Sequence, residues 1–490
     1  MSACSYAFFS FCNQMSMDLG NESGESGDTI PISTRQISIV SPNFRAMIMK
    51  SSLPLSQRVD KADVIVVAQV MSCTLNKRAS NSLQKDEDQT LPRALNAQEI
   101  LKAFELQESG DYTFKVQKYI KGQCEPTIQM HLNALNCRYY GYGKTRISEG
   151  SQVILFLKPL ANKNYEAVDP LIPLTPISSN AFILLDEDQK ADFYQQVYNM
   201  LLASLSDVPF RRSSISQLRT VEDTDVATIV ANYSDDDDIE VKDSALYCMM
   251  VNQRVEFIPK VLKLSEELGK TNQSPECLQA FRYLKVPEAT PYLNNMLFSE
   301  YYYIRLHATF ALDPLADESS IPYLMVALSD PDPQNIIAYS AYHMIYRSAP
   351  DLKKPKSEEY FYANREKEID IVYRWWKGYL SGENALKGRK RGLLSDSDLS
   401  SSLYSLDVDD RKKAIKSLSI PLKLADVPYV MVSLSDPDEE VAFNSYVLLK
   451  SIINTLPDIK SANDFGKESE RVMRDSRSWW MQKLKDRLEE

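Results

Sequence analysis

The spacing of apolar residues changes once along this chain, from a period of two to a period near 3.6. Apolar and polar side chains alternate over residues 112–117 and 128–132, and short apolar runs lie at 64–67 and 153–157. Alternation places one face of a strand against a core and leaves the other face to solvent. Because at least four such segments lie close together, residues 51–180 are predicted to form a small antiparallel β barrel or sandwich.

After about residue 186 the apolar spacing is helical and remains so. Within this part the chain contains a copy of itself: residues 321–332 read IPYLMVALSDPD and residues 427–438 read VPYVMVSLSDPD, 106 positions later. Such copies are typical of stacked helix pairs, in which each pair covers the apolar face of the next. In the second copy, Asp436 is predicted to cap the second helix of the pair, with Pro437 in its first turn.

The predicted fold class is therefore α+β with several domains, a small β domain followed by an all-α helical-repeat solenoid. The patterns divide the chain into a polar leader (1–50), the β domain (51–180), helical repeats (190–350), an insertion with a Trp-Trp helix and a basic loop (351–400), and a duplicated repeat that ends in a second Trp-Trp helix (401–490). The pairs Trp375-Trp376 and Trp479-Trp480 are the only tryptophans. Packing onto the solenoid and an exposed anchor for a partner are the two interpretations of these pairs.

Composition narrows the class of protein. The chain has 490 residues, 44% hydrophobic and 25% charged, with a formal net charge of −11, which is ordinary globular usage. The acidic balance disfavours a nucleic-acid binder, and no apolar run is long enough to span a bilayer. The apolar stretch near residue 8 has no positive residue before it, so a cytoplasmic protein without a secretory signal is expected. The alternative is an exported protein, periplasmic or extracellular, with a different start.

The cysteines and histidines give no sign of a cofactor. Seven cysteines form no CxxC motif and have no histidine at ligand spacing, so neither a metal nor another cofactor is expected. Cys124 and Cys137 flank a predicted strand, where a disulfide in an exported protein and unpaired thiols are both possible readings. The three histidines are dispersed, and no GxSxG or HExxH motif is present. The chain is therefore expected not to be an enzyme.

The helical part resembles HEAT repeats. The resemblance rests on the LSDPD turn and on the alanine-containing helices AYSAYHMI (338–345) and VAFNSYVLL (441–449), and it covers roughly residues 190–490. It implies a solenoid whose second helices line a concave face that binds proteins. The segments ADVIVVAQV, YTFKVQKYIKG and GSQVILFLKP resemble, more weakly, the TIMP-like, OB-type β modules that precede HEAT arrays in some bacterial proteins. Such proteins are usually exported.

The expected function is that of a non-enzymatic scaffold that binds a protein partner. The alternative is a HEAT-type lyase, of the kind that attaches bilin chromophores, or an enzyme's specificity subunit. The candidate partner-binding residues are aromatic or polar side chains of the second helices and a compact basic cluster: Tyr302, Arg305, His307, Tyr339, Tyr342, Asn444, Tyr446, Arg389, Lys390 and Arg391. For the basic cluster a solvated linker is the other interpretation.

Two further motifs are interpreted as ordinary turns. The GKT of residues 143–145 lacks the first glycine that a phosphate-binding loop requires, because Arg138 occupies that position. The acidic run Asp235–Asp238 could attract calcium, but it lacks the ligand spacing of a calcium loop. Acidic residues also favour the start of a helix, so a turn between two helices is predicted for this run.

Overall fold

The computed structural model describes residues 55–76, 109–133, 149–160, 164–168, 174–179, 181, 192–219, 221–270, 274–332, 336–349, 351–352, 355–382 and 402–489. The predicted leader, the GKT segment, Cys137 and the basic cluster with Arg389, Lys390 and Arg391 lie outside these residues, so those predictions are untested. The chain forms two compact units, residues 1–248 and 249–490.

The first unit begins with an antiparallel sheet that is nearly closed into a barrel. Its elements are helix α1 (Leu55–Lys61) and strands β1 (Val64–Asn76), β2 (Ser109–Lys121), β3 (Thr127–Asn133), β4 (Gln152–Pro159), β5 (Tyr165–Ala167) and β6 (Leu174–Ile177). The strand order is β3-β2-β1-β4-β5, and β6 also pairs with β4. Because β3 and β5 come into contact, the sheet curves back on itself. The predicted β barrel is confirmed.

Burial in the sheet explains why its strands have two kinds of sequence. In β2, Tyr112 and Phe114 face the core while Lys115 and Gln117 are exposed, which gives the alternating pattern. Residues 64–68 of β1 and 153–157 of β4 are buried on both faces, and these are continuous apolar runs. A strand covered on one side alternates, and a strand covered on both sides does not.

Four helices follow in the same unit, α2 (Phe193–Ser204), α3 (Val208–Leu218), α4 (Thr224–Ala231) and α5 (Ile239–Val251), the last of which ends just beyond the boundary. The buried side chain of Arg58 joins them to the barrel. Its guanidinium lies 5.0 Å from the ring centroid of Phe156 in β4 and donates to the side chain of Gln217 in α3. The helices therefore cover one face of the barrel and complete its core.

The second unit is helical and contains the duplication. The helices of this unit are α6 (Ile258–Gly269), α7 (Glu276–Gln279), α8 (Thr290–Met296), α9 (Tyr302–Leu312), α10 (Ile321–Ala327), α11 (Ile336–Ser348), α12 (Glu358–Ala363), α13 (Arg365–Leu380), α14 (Val408–Ser417), α15 (Val427–Ser433), α16 (Glu439–Lys450) and α17 (Ala462–Glu489). By sequence register, α9 to α13 form copy one and α14 to α17 form copy two, with α12 and α13 together matching α17. The α+β fold class is confirmed.

The two copies pack against each other through equivalent positions. Helix α10 lies against α15, and the rings of Tyr323 and Tyr429, 106 positions apart, meet edge to face with centroids 6.0 Å apart. Further along, the guanidinium of Arg477 lies 5.4 Å from the ring centroid of Tyr373, 104 positions earlier. The insertion between the copies therefore does not separate them.

The tryptophan pairs belong to the packed interior. Trp375, Trp376 and Trp480 are buried, and Trp479 is half-buried. The ring of Trp376 meets Tyr404 edge to face, with centroids 6.3 Å apart. These placements favour the packing interpretation over an exposed anchor, because a buried ring has no area left for a partner.

Candidate partner-binding surface

The second helices of the pairs are positioned by a buried ion pair. In α9, Arg305 Nε lies 2.6 Å from Asp330 Oδ2, and Nη2 lies 3.2 Å from Oδ1. Its Nη1 also donates to the carbonyl oxygen of Ser299 at 2.9 Å. Neither side chain of the ion pair has appreciable exposure, at 0% and 2%. Arg305, a predicted binding residue, thus joins a helix to the next turn, and it forms no part of the accessible surface.

Within the residues that the structure describes, the same ion pair occurs three times. Copy two has Arg411 with Asp436, at 2.6 and 3.0 Å, and the first unit has Arg211 with Asp236, at 2.7 Å. Each arginine also donates to the carbonyl six residues before it, and each aspartate follows its arginine by 25 positions. The pair in the first unit lies within residues 190–350, which the sequence predicts to be helical repeats, but its register with the two copies was not identified from the sequence. An arginine followed by an aspartate at this fixed spacing was the available signal.

The aspartate-rich turns between helices are built alike in these repeats. Asp236 and Asp436 each accept the backbone N–H two residues on, at 2.9 and 2.8 Å, while also holding the arginine. The cap of α16 is therefore Asp438, which accepts from two backbone N–H groups, and the prediction that Asp436 caps this helix was wrong. Asp436 is buried against Arg411, so its side chain is already committed. The run Asp235–Asp238 forms the predicted turn between helices.

Two of the predicted binding tyrosines use their hydroxyls to hold the backbone that follows their own helix, and we call these contacts latches. The Tyr342 hydroxyl accepts the Lys356 backbone N–H at 3.2 Å, and the Tyr446 hydroxyl accepts the Ile459 backbone N–H at 2.9 Å. Both rings are buried, at 0% and 2% exposure. Each latch fixes the segment that leaves its helix, so both tyrosines contribute to the fold rather than to a surface.

The remaining predicted residues of α9 lie closer to solvent. Tyr302 is half-buried, and burial followed by the nearby charge of Asp332 raises the pKa of its hydroxyl well above the usual range. His307 is also half-buried, and burial, with a smaller contribution from Arg282, lowers its pKa to about 4. At neutral pH this imidazole is uncharged. It offers a partner a flat aromatic surface rather than a charge.

Helices α9, α11 and α16 each carry a line of exposed or half-buried side chains spaced one turn apart. The lines are Tyr303, His307 and Phe310 on α9, Tyr339 and His343 on α11, and Phe443 and Val447 on α16. Residues three or four apart share one face of a helix. Tyr303 and Val447 are 36% and 37% exposed, and Asn444 beside them is half-buried. We name these residues the second-helix surface.

Each copy has a trio of packed aromatic rings, and one ring of each trio belongs to the second-helix surface. In copy one the rings of Tyr339, Tyr342 and Phe361 are in mutual contact, with Tyr342 and Phe361 centroids 4.7 Å apart. In copy two Phe443, Tyr446 and Phe465 take the same places, 104 positions later. Because both copies keep the trio, it is part of the fold.

Copy one adds a buried carboxylate beside this trio. Glu368, only 1% exposed, accepts from the hydroxyls of Tyr346 and Tyr342 at 2.9 and 3.2 Å. Its other oxygen lies 3.5 Å from the ammonium of Lys356. Burial first, and then the hydrogen bond to Glu368, raises the pKa of the Tyr346 hydroxyl. The equivalent of Glu368 in copy two is the fully buried Val472, so the fold does not require a carboxylate here.

Among the residues that the structure describes, no cluster of three or more His, Cys, Asp or Glu side chains could hold a metal ion. In the same residues, no helix combines the length and the apolar character needed to cross a membrane. No family model, no curated protein and no solved structure matches this chain. Its class therefore rests on its own geometry: a β barrel followed by a helical region with a duplicated half.

Proposed function

We propose that this chain is a non-enzymatic scaffold of the HEAT-like type, and that a protein partner binds its second-helix surface. The single observation that carries the proposal is that the buried faces of α9, α11 and α16 hold the fold together, whereas their outer faces do not. The buried face of α9 holds the Arg305 ion pair, and those of α11 and α16 hold the Tyr342 and Tyr446 latches, while their outer lines present aromatic and apolar side chains. The exposure of the apolar side chains of Tyr303 and Val447 to water is unfavourable, and these side chains add nothing to the core.

The residue types favour a protein partner. Tyrosine is enriched at binding hot spots, because its ring contributes a large contact area and its hydroxyl a hydrogen bond. His307 is uncharged at neutral pH, since its pKa is lowered to about 4, and it adds flat area without the cost of burying a charge. A row of helices presents such positions at regular intervals, which suits an extended or helical partner.

Site-specific photo-crosslinking tests the proposal. A photoreactive phenylalanine analogue replaces Tyr303, His343 or Val447, and control variants carry it at Tyr292 or Leu424, which are exposed but lie outside the second helices. The full-length variants are irradiated in extracts of the source cells, and the adducts are identified by mass spectrometry. We expect one protein to cross-link to all three second-helix positions and to neither control.

Cross-linking at the controls alone, or at no position, would overturn this surface. Recovery of a small molecule or a chromophore in place of a protein would favour the lyase alternative and count against the scaffold. The wild-type chain in the dark controls for adducts that form without irradiation.

A further inference from the structure

The two copies of the duplicated unit act as a control for each other. Where both keep a side chain, as with Tyr342 and Tyr446, the fold accounts for it. Where copy one alone carries a costly group, another role has to account for it. The buried Glu368 is such a group, because burying a carboxylate is unfavourable and Val472 fills the equivalent place without it.

Copy one differs from copy two at a set of neighbouring surface positions. At a register of 104 positions, Ala462, Asn463, Asp464 and Gly466 of copy two stand where copy one has Glu358, Glu359, Tyr360 and Tyr362, and Phe443 stands where copy one has Tyr339, a difference of the hydroxyl alone. The register is supported by equivalent caps at the helix starts. Ser357 accepts from the Tyr360 backbone N–H at 3.3 Å, and Ser461 accepts from the Asp464 backbone N–H at 3.2 Å.

These five residues of copy one form one surface, which we name the tyrosine–glutamate surface. The rings of Tyr339 and Tyr362 are in contact, with centroids 6.4 Å apart, and both are half-buried. Glu358 and Glu359 are exposed, and their negative charges, after burial, raise the pKa of Tyr339. The carboxylates therefore lie close to the aromatic rings rather than on a separate face.

The surface already holds one cation. The ammonium of Lys356 lies 3.8 Å from the ring centroid of Tyr360 and 3.5 Å from Glu368 Oε1. An ammonium over a tyrosine face is attracted by the negative ring, and a nearby carboxylate adds to that attraction. Copy two keeps a lysine at this place, Lys460, but has neither the ring nor the carboxylate. The groups that copy one adds are thus those that favour a cation.

We propose that the tyrosine–glutamate surface binds a basic segment of the partner, with lysine or arginine side chains on the rings of Tyr339 and Tyr362 beside Glu358 and Glu359. The proposal rests on the scaffold function above and names the chemistry of the partner. Charge complementarity supports it, since two exposed carboxylates flank the rings and the whole chain carries −11. An acidic ligand is the opposite chemistry, and the experiment below compares the two directly.

Fluorescence anisotropy with the full-length chain tests this proposal. The probe is a labelled peptide of alternating lysine and serine, and its competitor has glutamate in place of lysine. The test variants are Glu358→Ala/Glu359→Asn, which installs the residues of copy two, and Tyr362→Ala. The matched control is Glu266→Ala/Glu267→Asn, which removes two adjacent exposed glutamates of α6 and changes the net charge equally.

We expect the lysine peptide to bind and the glutamate peptide not to bind. Both test variants should lose about fivefold in affinity, as expected for two exposed ionic contacts or one aromatic contact, and the control should keep its affinity. Equal losses in the test and control double variants would show that net charge alone attracts the peptide. That result, or preferential binding of the glutamate peptide, would overturn the proposal.

The failure of this proposal is distinguishable from the failure of the scaffold function. If a protein still cross-links at Tyr303, His343 and Val447 while the lysine peptide shows no preference for the surface, the scaffold stands and the basic segment does not. If no protein cross-links at these positions and the lysine peptide also shows no preference for the surface, both proposals fail. Circular dichroism and tryptophan fluorescence of each variant establish that the loss is not due to unfolding.

Discussion

Removal of Arg411 should destabilise the second unit by several kcal/mol, because its ion pair with Asp436 is buried. The side chains are 3% and 1% exposed, and Arg411 Nε lies 2.6 Å from Asp436 Oδ2. In the Arg411→Met variant the carboxylate remains buried without its counter-charge, and the carbonyl of Ser405 loses a donor at 2.8 Å. Loss of one partner of such a pair costs about 3–5 kcal/mol.

Urea unfolding followed by tryptophan fluorescence measures this effect. All four tryptophans lie between residues 375 and 480, so the signal reports the second unit alone. With an m-value of about 2–3 kcal/mol per molar urea for a unit of this size, the expected loss lowers the midpoint by about 1–2 M. The control is Lys413→Met, whose ion pair with Asp410 is exposed and spans 3.9 Å, and which should leave the midpoint nearly unchanged.

A second substitution tests the reason for the loss. In Arg411→Met/Asp436→Asn the residual buried charge is gone, while the remaining side-chain oxygen still accepts the Asp438 backbone N–H. We expect the double variant to regain about 1–2 kcal/mol relative to the single variant. The reasoning would be refuted if Arg411→Met behaved like Lys413→Met, or if the double variant were no more stable than the single one.

Two further effects are expected, one from the burial of a histidine and one from the close approach of two backbone segments. The folded pKa of His307, about 4, lies below the ordinary 6.5, so the unfolded chain binds the proton first and stability is lost as the pH falls from 6.5 towards 4. NMR titration of the three labelled histidines should show one at about 4, absent in His307→Gln. Gly122→Ala should destabilise the barrel in thermal circular dichroism far more than Gly150→Ala, because both have positive φ but the new Cβ at Gly122 would meet Asp63 O.

The fold could be predicted largely because its signals are local. Alternation over 112–117 and the helical spacing after residue 186 depend on neighbours in sequence, and both are confirmed in outline. The continuous run at 64–67 did not reveal that β1 is covered on both faces, since that depends on helices far along the chain. The region around Arg211 was predicted to be helical repeats, but its register with the two copies was not identified, because little besides the arginine and the aspartate is shared with them.

The candidate site was harder to predict than the fold. Arg305, Tyr342 and Tyr446 have the side-chain types that anchor partners, but the same types also serve buried ion pairs and latches. In a stacked array a helix is covered by neighbours on two sides, so sequence spacing alone does not say which face remains open. His307 and Tyr339 lie half-buried on the second-helix surface, and Tyr303 on the same helix as His307 is exposed.

The duplication itself separates what the fold needs from what it does not. The ion pairs of Arg305 and Arg411 have the same spacing and nearly the same distances, so selection for packing explains both. Glu368 has no such counterpart, because Val472 fills the same buried place. Glu368 accepts hydrogen bonds from two tyrosines and lies near Lys356, but burying a carboxylate is less favourable than burying a valine. The recognition role proposed above is our explanation for this difference between the copies.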